Sequence, residues 1–121
     1  RLQLDVLHDR NPQYVLESDG SIRNGYTIKI LNMRPEPRLF TLSISGLPGA
    51  GMTLVADPLP KGRAFGVPVD ADTVHKMKVF VTVAKDQLPA SPQEFKMKVE
   101  YAPTGEFAEY KATFNVPEKR K

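Results

Sequence analysis

The sequence contains no cysteine and no tryptophan among its 121 residues. Without cysteine the chain can form no disulfide framework, no thiolate-bound zinc or iron–sulfur site, and no cysteine nucleophile. It also has no apolar run near the ~18 residues that a membrane-spanning helix requires, and no signal-peptide pattern. These absences favour a single domain that is held together by its own hydrophobic core, which a chain of this length can build.

The net charge is small once the C-terminus is set aside. The chain has 17 basic and 14 acidic residues, and three of the basic ones are Lys119, Arg120 and Lys121. A nucleic-acid surface needs clustered Lys and Arg with stacking aromatics, so we expect no nucleic-acid partner. We assign residues 1–116 to the folded domain and residues 117–121 to a basic C-terminal tail. The sequence begins at Arg1 without an initiator methionine, and we therefore expect it to be part of a longer protein.

Period-2 alternation of apolar and polar residues dominates the chain and predicts β-strands. Seven segments show it, with the following apolar positions: Leu2, Leu4 and Val6; Tyr26, Ile28 and Ile30; Phe40, Leu42 and Ile44; Met52 to Val55; His75, Met77, Val79, Val81 and Val83; Phe95, Met97, Val99 and Tyr101; Tyr110, Ala112, Phe114 and Val116. Proline and glycine clusters fall between these segments as turn signals. The pattern predicts an all-β protein, an immunoglobulin-like or fibronectin-III-like antiparallel β-sandwich of about seven strands without a disulfide. A jelly roll or a small barrel is the alternative fold.

Candidate catalytic residues are sparse. Asp70 and Asp72 flank Ala71 before the fifth strand, a pattern more typical of a solvated turn than of paired acid and base. The glycine-rich run from Gly46 to Gly51 lacks the Lys-Ser/Thr of a phosphate-binding loop, and no Gly-x-Ser-x-Gly elbow is present. We therefore predict no catalytic residue and no cofactor in this domain.

One pair of side chains has metal-binding chemistry. His75 and Met77 lie two residues apart in a predicted strand and so share a face. Imidazole and thioether are soft ligands that suit copper, and His8 is a further weak candidate. The competing interpretation is that both residues are the outer end of the core stripe formed by Val79, Val81 and Val83.

The stretch between the first two strands is rich in turn-forming residues. Asn11-Pro12 favours turn initiation, and the glycines of Asp19-Gly20 and Asn24-Gly25 accept positive φ without steric cost. Tyr14, Val15 and Leu16 can add a brief strand within it. Asp9, Arg10, Arg23 and Asn24 can hydrogen-bond its backbone. An elaborate connector between two sheets accounts for these residues.

The amino-acid sequence of this stretch also resembles that of a known protein family. The run from Asp5 through Asp9-Arg10-Asn11-Pro12, Asp19-Gly20 and Arg23-Asn24-Gly25-Tyr26 to Asn32 resembles the C-terminal domain of the FixG/CcoG (RdxA-type) family of cytochrome c oxidase accessory proteins. The segment Gly46-Leu47-Pro48-Gly49-Ala50 resembles that family too, and the similarity extends over nearly the whole chain.

The resemblance implies an immunoglobulin-like domain that follows a transmembrane region. The parent protein would lie in the inner membrane of a bacterium and bind two 4Fe-4S clusters in a ferredoxin-like part, and it could itself be an iron–sulfur oxidoreductase. The family is associated with assembly of the cbb3-type oxidase and with handling of its copper. No cluster-binding cysteine is present here, so no redox residue can be transferred to this chain, and we expect the domain on the extracytoplasmic face.

These observations predict a non-catalytic docking domain whose partners are an oxidase subunit or a copper chaperone. The predicted interaction loop comprises Asp9, Arg10, Asn11, Asp19, Arg23, Asn24 and Tyr26. The first alternative is a copper-binding or copper-relay domain that uses His75 and Met77. The second is a generic ligand-binding or adhesion sandwich, which the absence of tryptophan disfavours for sugars.

Overall fold

A computed structural model describes residues 2–55 and 62–117. These residues form nine β-strands and one 3₁₀ turn at Lys85–Gln87. The strands are β1 Leu2–His8, β2 Val15–Leu16, β3 Ile22–Asn32, β4 Arg38–Ser45, β5 Ala50–Leu54, β6 Ala64–Val69, β7 Thr73–Val83, β8 Gln93–Tyr101 and β9 Glu106–Phe114. The predicted all-β class is confirmed.

The strands form two antiparallel sheets. Sheet A has the order β1-β3-β7-β5, with the two-residue β2 also paired to β3. Sheet B has the order β6-β4-β8-β9. The first order corresponds to strands A-B-E-D of an immunoglobulin domain, and β4-β8-β9 corresponds to C-F-G. The fold is therefore the predicted immunoglobulin-like sandwich rather than a barrel.

The core lies between the sheets and follows the alternation in the sequence. Along β3 the inward positions are Ile22, Asn24, Tyr26, Ile28, Ile30 and Asn32, and all six are buried. Facing them from sheet B are Phe40 and Leu42 of β4 and Met97 and Val99 of β8. Except for the two-residue β2, the strands bury residues of one face in the core and turn the other face toward solvent, as expected for antiparallel sheets covered on one side.

Three details differ from the sequence-based prediction. Strand β6 was not predicted, because Gly66 and Pro68 interrupt it and read as turn residues, although Val67 and Val69 point inward. Strand β5 begins at Ala50, within the glycine-rich run that was predicted as a turn. Tyr110, predicted to face the core, is 38% exposed because it lines an open groove between β1 and β9, whereas Ala112 and Phe114 of the same strand are buried.

The sandwich has two distinct ends. One end, called the entry end, contains the start of β1 at Leu2 and the turn between β8 and β9. The other end, called the loop end, contains the connection from β1 to β3. This connection, residues 9–21, is called the opening loop. Val116 is still buried, whereas residues 118–121, most of the predicted basic tail, lie outside the described residues. Within residues 2–55 and 62–117, no helix is long and apolar enough to cross a membrane.

Candidate functional site

Asp9 anchors the start of the opening loop to sheet A. Its backbone N–H donates to the Gly25 carbonyl at 2.9 Å, and its carboxylate forms an ion pair with the ammonium of Lys78 on β7. The carboxylate lies directly over Gly25, where an added Cβ would come within 3.1 Å of the Asp9 Cγ and 3.2 Å of a ring carbon of Phe80. Glycine at position 25 is therefore required by the close approach of the Asp9 side chain.

Two local devices shape the rest of the loop. The Asn11–Pro12 peptide bond is cis. Farther along, the Asp19 carboxylate accepts hydrogen bonds from the backbone N–H and the hydroxyl of Ser21, at 2.9 and 2.6 Å, and Gly20 between them has φ 89°. This is the side-chain turn that Asp favours, with glycine at the left-handed position. The Asp19-Gly20 pair thus acts as the predicted turn.

Arg23 is held on the outer face of sheet A. Its guanidinium lies 4.4 Å from the centre of the Phe80 ring and 3.2 Å from the Glu17 carboxylate. The side chain remains about one-third exposed. The sequence analysis did not predict a role for Phe80 or Glu17. The position of Phe80 among Lys76, Lys78 and Thr82, on the polar face of its strand, could have indicated that its ring contacts a charged side chain.

Two members of the predicted interaction loop are not on the surface. Asn24 and Tyr26 both lie in β3 and have no exposed area. The Asn24 amide donates to the Asn115 carbonyl at 2.9 Å and accepts from the Asn115 N–H at 2.8 Å, and the Tyr26 hydroxyl donates to the Thr113 carbonyl at 2.7 Å. The prediction that they contact a partner is therefore wrong: they join sheet A to the last strand of sheet B.

His8 completes this buried connection. Its ring lies 4.7 Å from the Tyr26 ring, Nε2 donates to the Gln13 carbonyl at 3.0 Å, and Nδ1 faces the Asn115 side-chain amide at 3.5 Å. Both ring nitrogens thus have protein partners. Burial, reinforced by the negative charge of Asp9, raises the pKa of the Tyr26 hydroxyl well above its ordinary value.

Arg10 and Asn11 form the exposed tip of the opening loop. Arg10 borders an open groove of about 320 Å³ between β1 and β9, whose other walls include His8, Tyr110 and Lys111. Among the described residues, neither Arg10 nor Lys111 forms an ion pair. The part of the predicted loop that is free to meet a partner is therefore its charged tip.

His75 and Met77 lie in a different groove, of about 400 Å³, between β6 and β7. Both side chains are partly buried, and the groove is otherwise lined mainly by apolar residues. His8 is two strands away from His75 and four residue pairs farther along the sheet, about 10 Å across and about 13 Å along. The structure thus brings His75 and Met77 together but separates His8 from them.

The described residues contain no group of three or more His, Cys, Asp or Glu side chains placed to hold a metal ion. The residues of the opening loop instead form hydrogen bonds and ion pairs that shape the loop and fasten it to the sheet. The fold and this site define a class: an immunoglobulin-like β-sandwich with an anchored, charged loop at one end.

Comparison with known proteins identifies the family. Residues 1–117 match the family described as "IG-like fold at C-terminal of FixG, putative oxidoreductase", and the chain belongs to it. The resemblance seen in the opening stretch is thereby confirmed. The family description assigns to this chain the immunoglobulin-like part of such a protein.

Individual relatives agree with this assignment. The nitrogen fixation protein FixG of Rhizobium meliloti (strain 1021) is 45% identical over 117 residues, covering 97% of this chain and 22% of that protein. Protein RdxA of Cereibacter sphaeroides is 36% identical over 91 residues, covering 74% of this chain and 18% of that protein. The chain thus spans about a fifth of the length of these relatives.

A solved structure shares the fold. The crystal structure of a FixG-related protein from Vibrio parahaemolyticus superposes with a TM-score of 0.77 at 17% identity, covering 94% of each chain. At this identity the similarity concerns the fold alone.

Proposed function

We propose that this chain is a non-catalytic docking domain of a membrane-bound, FixG-type iron–sulfur protein, and that it holds a partner protein during assembly of a cbb3-type oxidase. The partner would be an oxidase subunit or a copper chaperone, on the extracytoplasmic face of the inner membrane of a bacterium. The two 4Fe-4S clusters and any oxidoreductase activity would belong to the rest of the parent protein.

The observation that carries this proposal is the construction of the opening loop. Asp9 is tied to Lys78 and to the backbone of β3, and Asp19 closes a turn with Ser21. Between these anchors the tip exposes Arg10 and Asn11. An ordered loop that presents unpaired polar groups loses little conformational entropy when a partner binds, which favours recognition.

Capture experiments test the proposal. The purified domain is immobilised and offered purified oxidase subunits and copper chaperones, with an Arg10→Ala/Asn11→Ala variant beside the wild type. Lys98→Ala, on the outer face of sheet B, is the matched control for removal of a surface charge. We expect capture to fall about tenfold in the loop variant and to stay unchanged in the control, as for a small set of dominant contacts. Equal capture by all three folded proteins would contradict the role of the loop.

A second candidate function is copper binding, because His75 and Met77 line the same open groove. A nitrogen and a thioether ligand suit Cu(I), which favours soft ligands. The test is a competition titration with Cu(I) against a chromophoric chelator, using a His75→Ala/Met77→Ala variant and Met33→Ala as the control for an exposed methionine elsewhere. Tight binding that only the double variant loses would support copper relay, and binding retained by the double variant would exclude these ligands.

A further inference from the structure

The three turns at the entry end are tied to one another by hydrogen bonds and ion pairs. These turns are residues 33–37 between β3 and β4, residues 70–72 between β6 and β7, and residues 102–105 between β8 and β9. The buried Asn32 amide donates to the carbonyls of Glu36 and Asp70, at 3.0 and 3.1 Å. Its oxygen accepts from the Arg34 N–H at 3.2 Å, and the Asp72 N–H donates to the Arg34 carbonyl at 2.9 Å. The first two turns are therefore held in a fixed relation.

An ion-pair network connects the third turn to the first. Glu106, the first residue of β9, pairs with both Arg34 and Arg38, each at 3.5 Å. Arg38 also pairs with Glu36 at 2.9 Å and lies 4.0 Å from the centre of the Tyr101 ring. Only 11% of the Arg38 side chain is exposed. The entry end is therefore an ordered surface, and such a surface loses little conformational entropy when it binds.

Large apolar side chains are exposed around this end on both sheets. On sheet A, Val74 lies directly opposite Leu31 and Met33 follows β3; Val74 and Met33 are both 57% exposed. On sheet B, Leu39 and Phe107 are 63% and 55% exposed. Each of these four exposed residues lies in one of the three turns or within two residues of it. Single exposed apolar residues are common, but several at one ordered end indicate an interaction surface.

The point where the chain enters the sandwich indicates what covers this surface. The family description places the domain at the C-terminus of FixG, and the chain covers only 22% of that relative. Leu2 is buried and paired to Asn32, so the residues that precede it emerge beside the three turns. Two surfaces joined by the same chain meet at a high effective concentration. The rest of the parent protein is therefore placed to contact the entry end.

Charge favours a protein surface over an anionic lipid surface as the covering partner. The three turns and the strand residues next to them carry two basic and four acidic side chains: Arg34 and Arg38, and Glu36, Asp70, Asp72 and Glu106. Both arginines are already paired, whereas Asp70 and Asp72 form no ion pair among the described residues. Anionic lipid headgroups attract basic segments, so this acidic excess would be repelled by them.

We propose that the entry end is an interface with the part of the parent protein that precedes Leu2. The contacts are made by the four exposed apolar side chains, Met33, Leu39, Val74 and Phe107. The covering surface is apolar, with basic groups that face Asp70 and Asp72. Such an interface fixes the orientation of the domain, which a flexible connection would leave free to move. The inference does not depend on docking at the opening loop, which lies at the other end of the sandwich.

Photo-cross-linking in the full-length protein tests this proposal. The photoreactive amino acid p-benzoylphenylalanine is placed at Phe107 in one variant, at Leu39 in a second and at Leu16 in a control. Leu16 is 64% exposed, as Leu39 nearly is, but it lies in the opening loop. Cells that express each variant are irradiated, and cross-linked peptides are identified by mass spectrometry. We expect positions 39 and 107 to link to residues that precede Leu2 in the same chain, and position 16 to give about tenfold less of this product.

Polar substitutions test whether the apolar side chains hold the interface. Met33→Ser combined with Val74→Thr removes apolar surface on sheet A and leaves position 107 unchanged. Leu7→Thr, at a 64% exposed position farther along sheet A, is the matched control. We expect the double variant to lower cross-linking from position 107 about tenfold, as for the loss of dominant contacts, and the control to leave it unchanged. Urea denaturation of the isolated domain with the same substitutions shows whether each variant is folded.

Three results would overturn the proposal. The first is a yield from positions 39 and 107 that is no higher than from position 16. The second is linkage to lipid, to a second copy of the chain or to another protein in place of the preceding residues. The third is a link from position 107 that the folded double variant leaves unchanged. If the entry-end interface fails while capture of a partner still depends on Arg10 and Asn11, the docking function stands.

Discussion

Replacing Tyr26 by phenylalanine tests whether the buried hydroxyl fastens the two sheets together. The substitution keeps the ring, its edge contact with Phe95 at 5.8 Å and its packing against His8. It removes only the hydrogen bond to the Thr113 carbonyl. Losing this bond and leaving the carbonyl without its partner should lower the free energy of unfolding by about 1–2 kcal/mol at neutral pH.

The same substitution should change how stability depends on alkaline pH. Burial, and secondarily the charge of Asp9, raises the pKa of Tyr26 above its ordinary value of 10.0 in the folded protein. Below pH 10 both states hold the proton, so the contribution to stability is fully present. Above pH 10 the unfolded chain releases the proton while the folded protein keeps it, and stability falls by about 1.4 kcal/mol per pH unit.

The difference in free energy of unfolding between the wild type and the Tyr26→Phe variant, called the gap here, should therefore shrink as pH rises. By pH 11 the wild type has lost about 1.4 kcal/mol through Tyr26, whereas the phenylalanine variant has no such group to lose. The gap of about 1–2 kcal/mol at pH 7 should thus approach zero near pH 11.

Urea denaturation at a series of pH values measures the gap, and tyrosinate absorbance reports ionisation in the folded state. We expect one of the four tyrosines to ionise only when the protein unfolds. A gap that stays constant from pH 7 to pH 11, or ionisation of all four tyrosines in the folded protein near pH 10, would refute the reasoning.

Two further substitutions probe contacts of β3, one with the opening loop and one with the chain just after β9. Gly25→Ala should lower the free energy of unfolding by about 1–3 kcal/mol, because the new methyl group displaces the Asp9 carboxylate. Urea denaturation measures this, with Gly66→Ala as the control because its methyl group meets only ordinary contacts. Equal stability of the two variants would contradict the prediction. Asn24→Ala should lower the free energy of unfolding by about 2–3 kcal/mol, because the N–H and carbonyl of Asn115 both lose their partner. The same denaturation assay measures this. A loss below about 0.5 kcal/mol, typical of surface substitutions, would show that these two hydrogen bonds do not hold the sheets together.

Alternation along the chain was sufficient to predict the class of fold and most of the core. The period-2 rule placed Ile28 and Val79 on buried faces, because each strand of a sandwich has one side in the core and one in solvent. It could not give the strand order, since pairing between β3 and β7 depends on contacts between residues far apart in sequence. Strand β6 was not predicted because Pro68 and Gly66 are residue types that occur both in turns and in edge strands.

The polar motif from Asp9 to Tyr26 shows where an interpretation from motifs conflicts with one from periodicity. As part of a polar motif, Asn24 and Tyr26 resemble surface residues, whereas the alternation that places Ile28 inward also places both of them inward. The periodicity was the better guide, because a buried amide or hydroxyl is tolerated once its hydrogen bonds are satisfied. A distinctive motif therefore contains both structural and exposed positions, and only burial separates them.

The position of the loop determines what a docked partner could reach. The family description places this domain at the C-terminus of FixG, so the rest of such a protein precedes it and would join beside Leu2, at the entry end. The seven residues of β1 separate that end from the opening loop by about 20 Å. Because β1 is paired to β3 along its whole length, this separation is rigid. Under the proposed function, a partner held by the tip of the loop would therefore stand away from the rest of the protein.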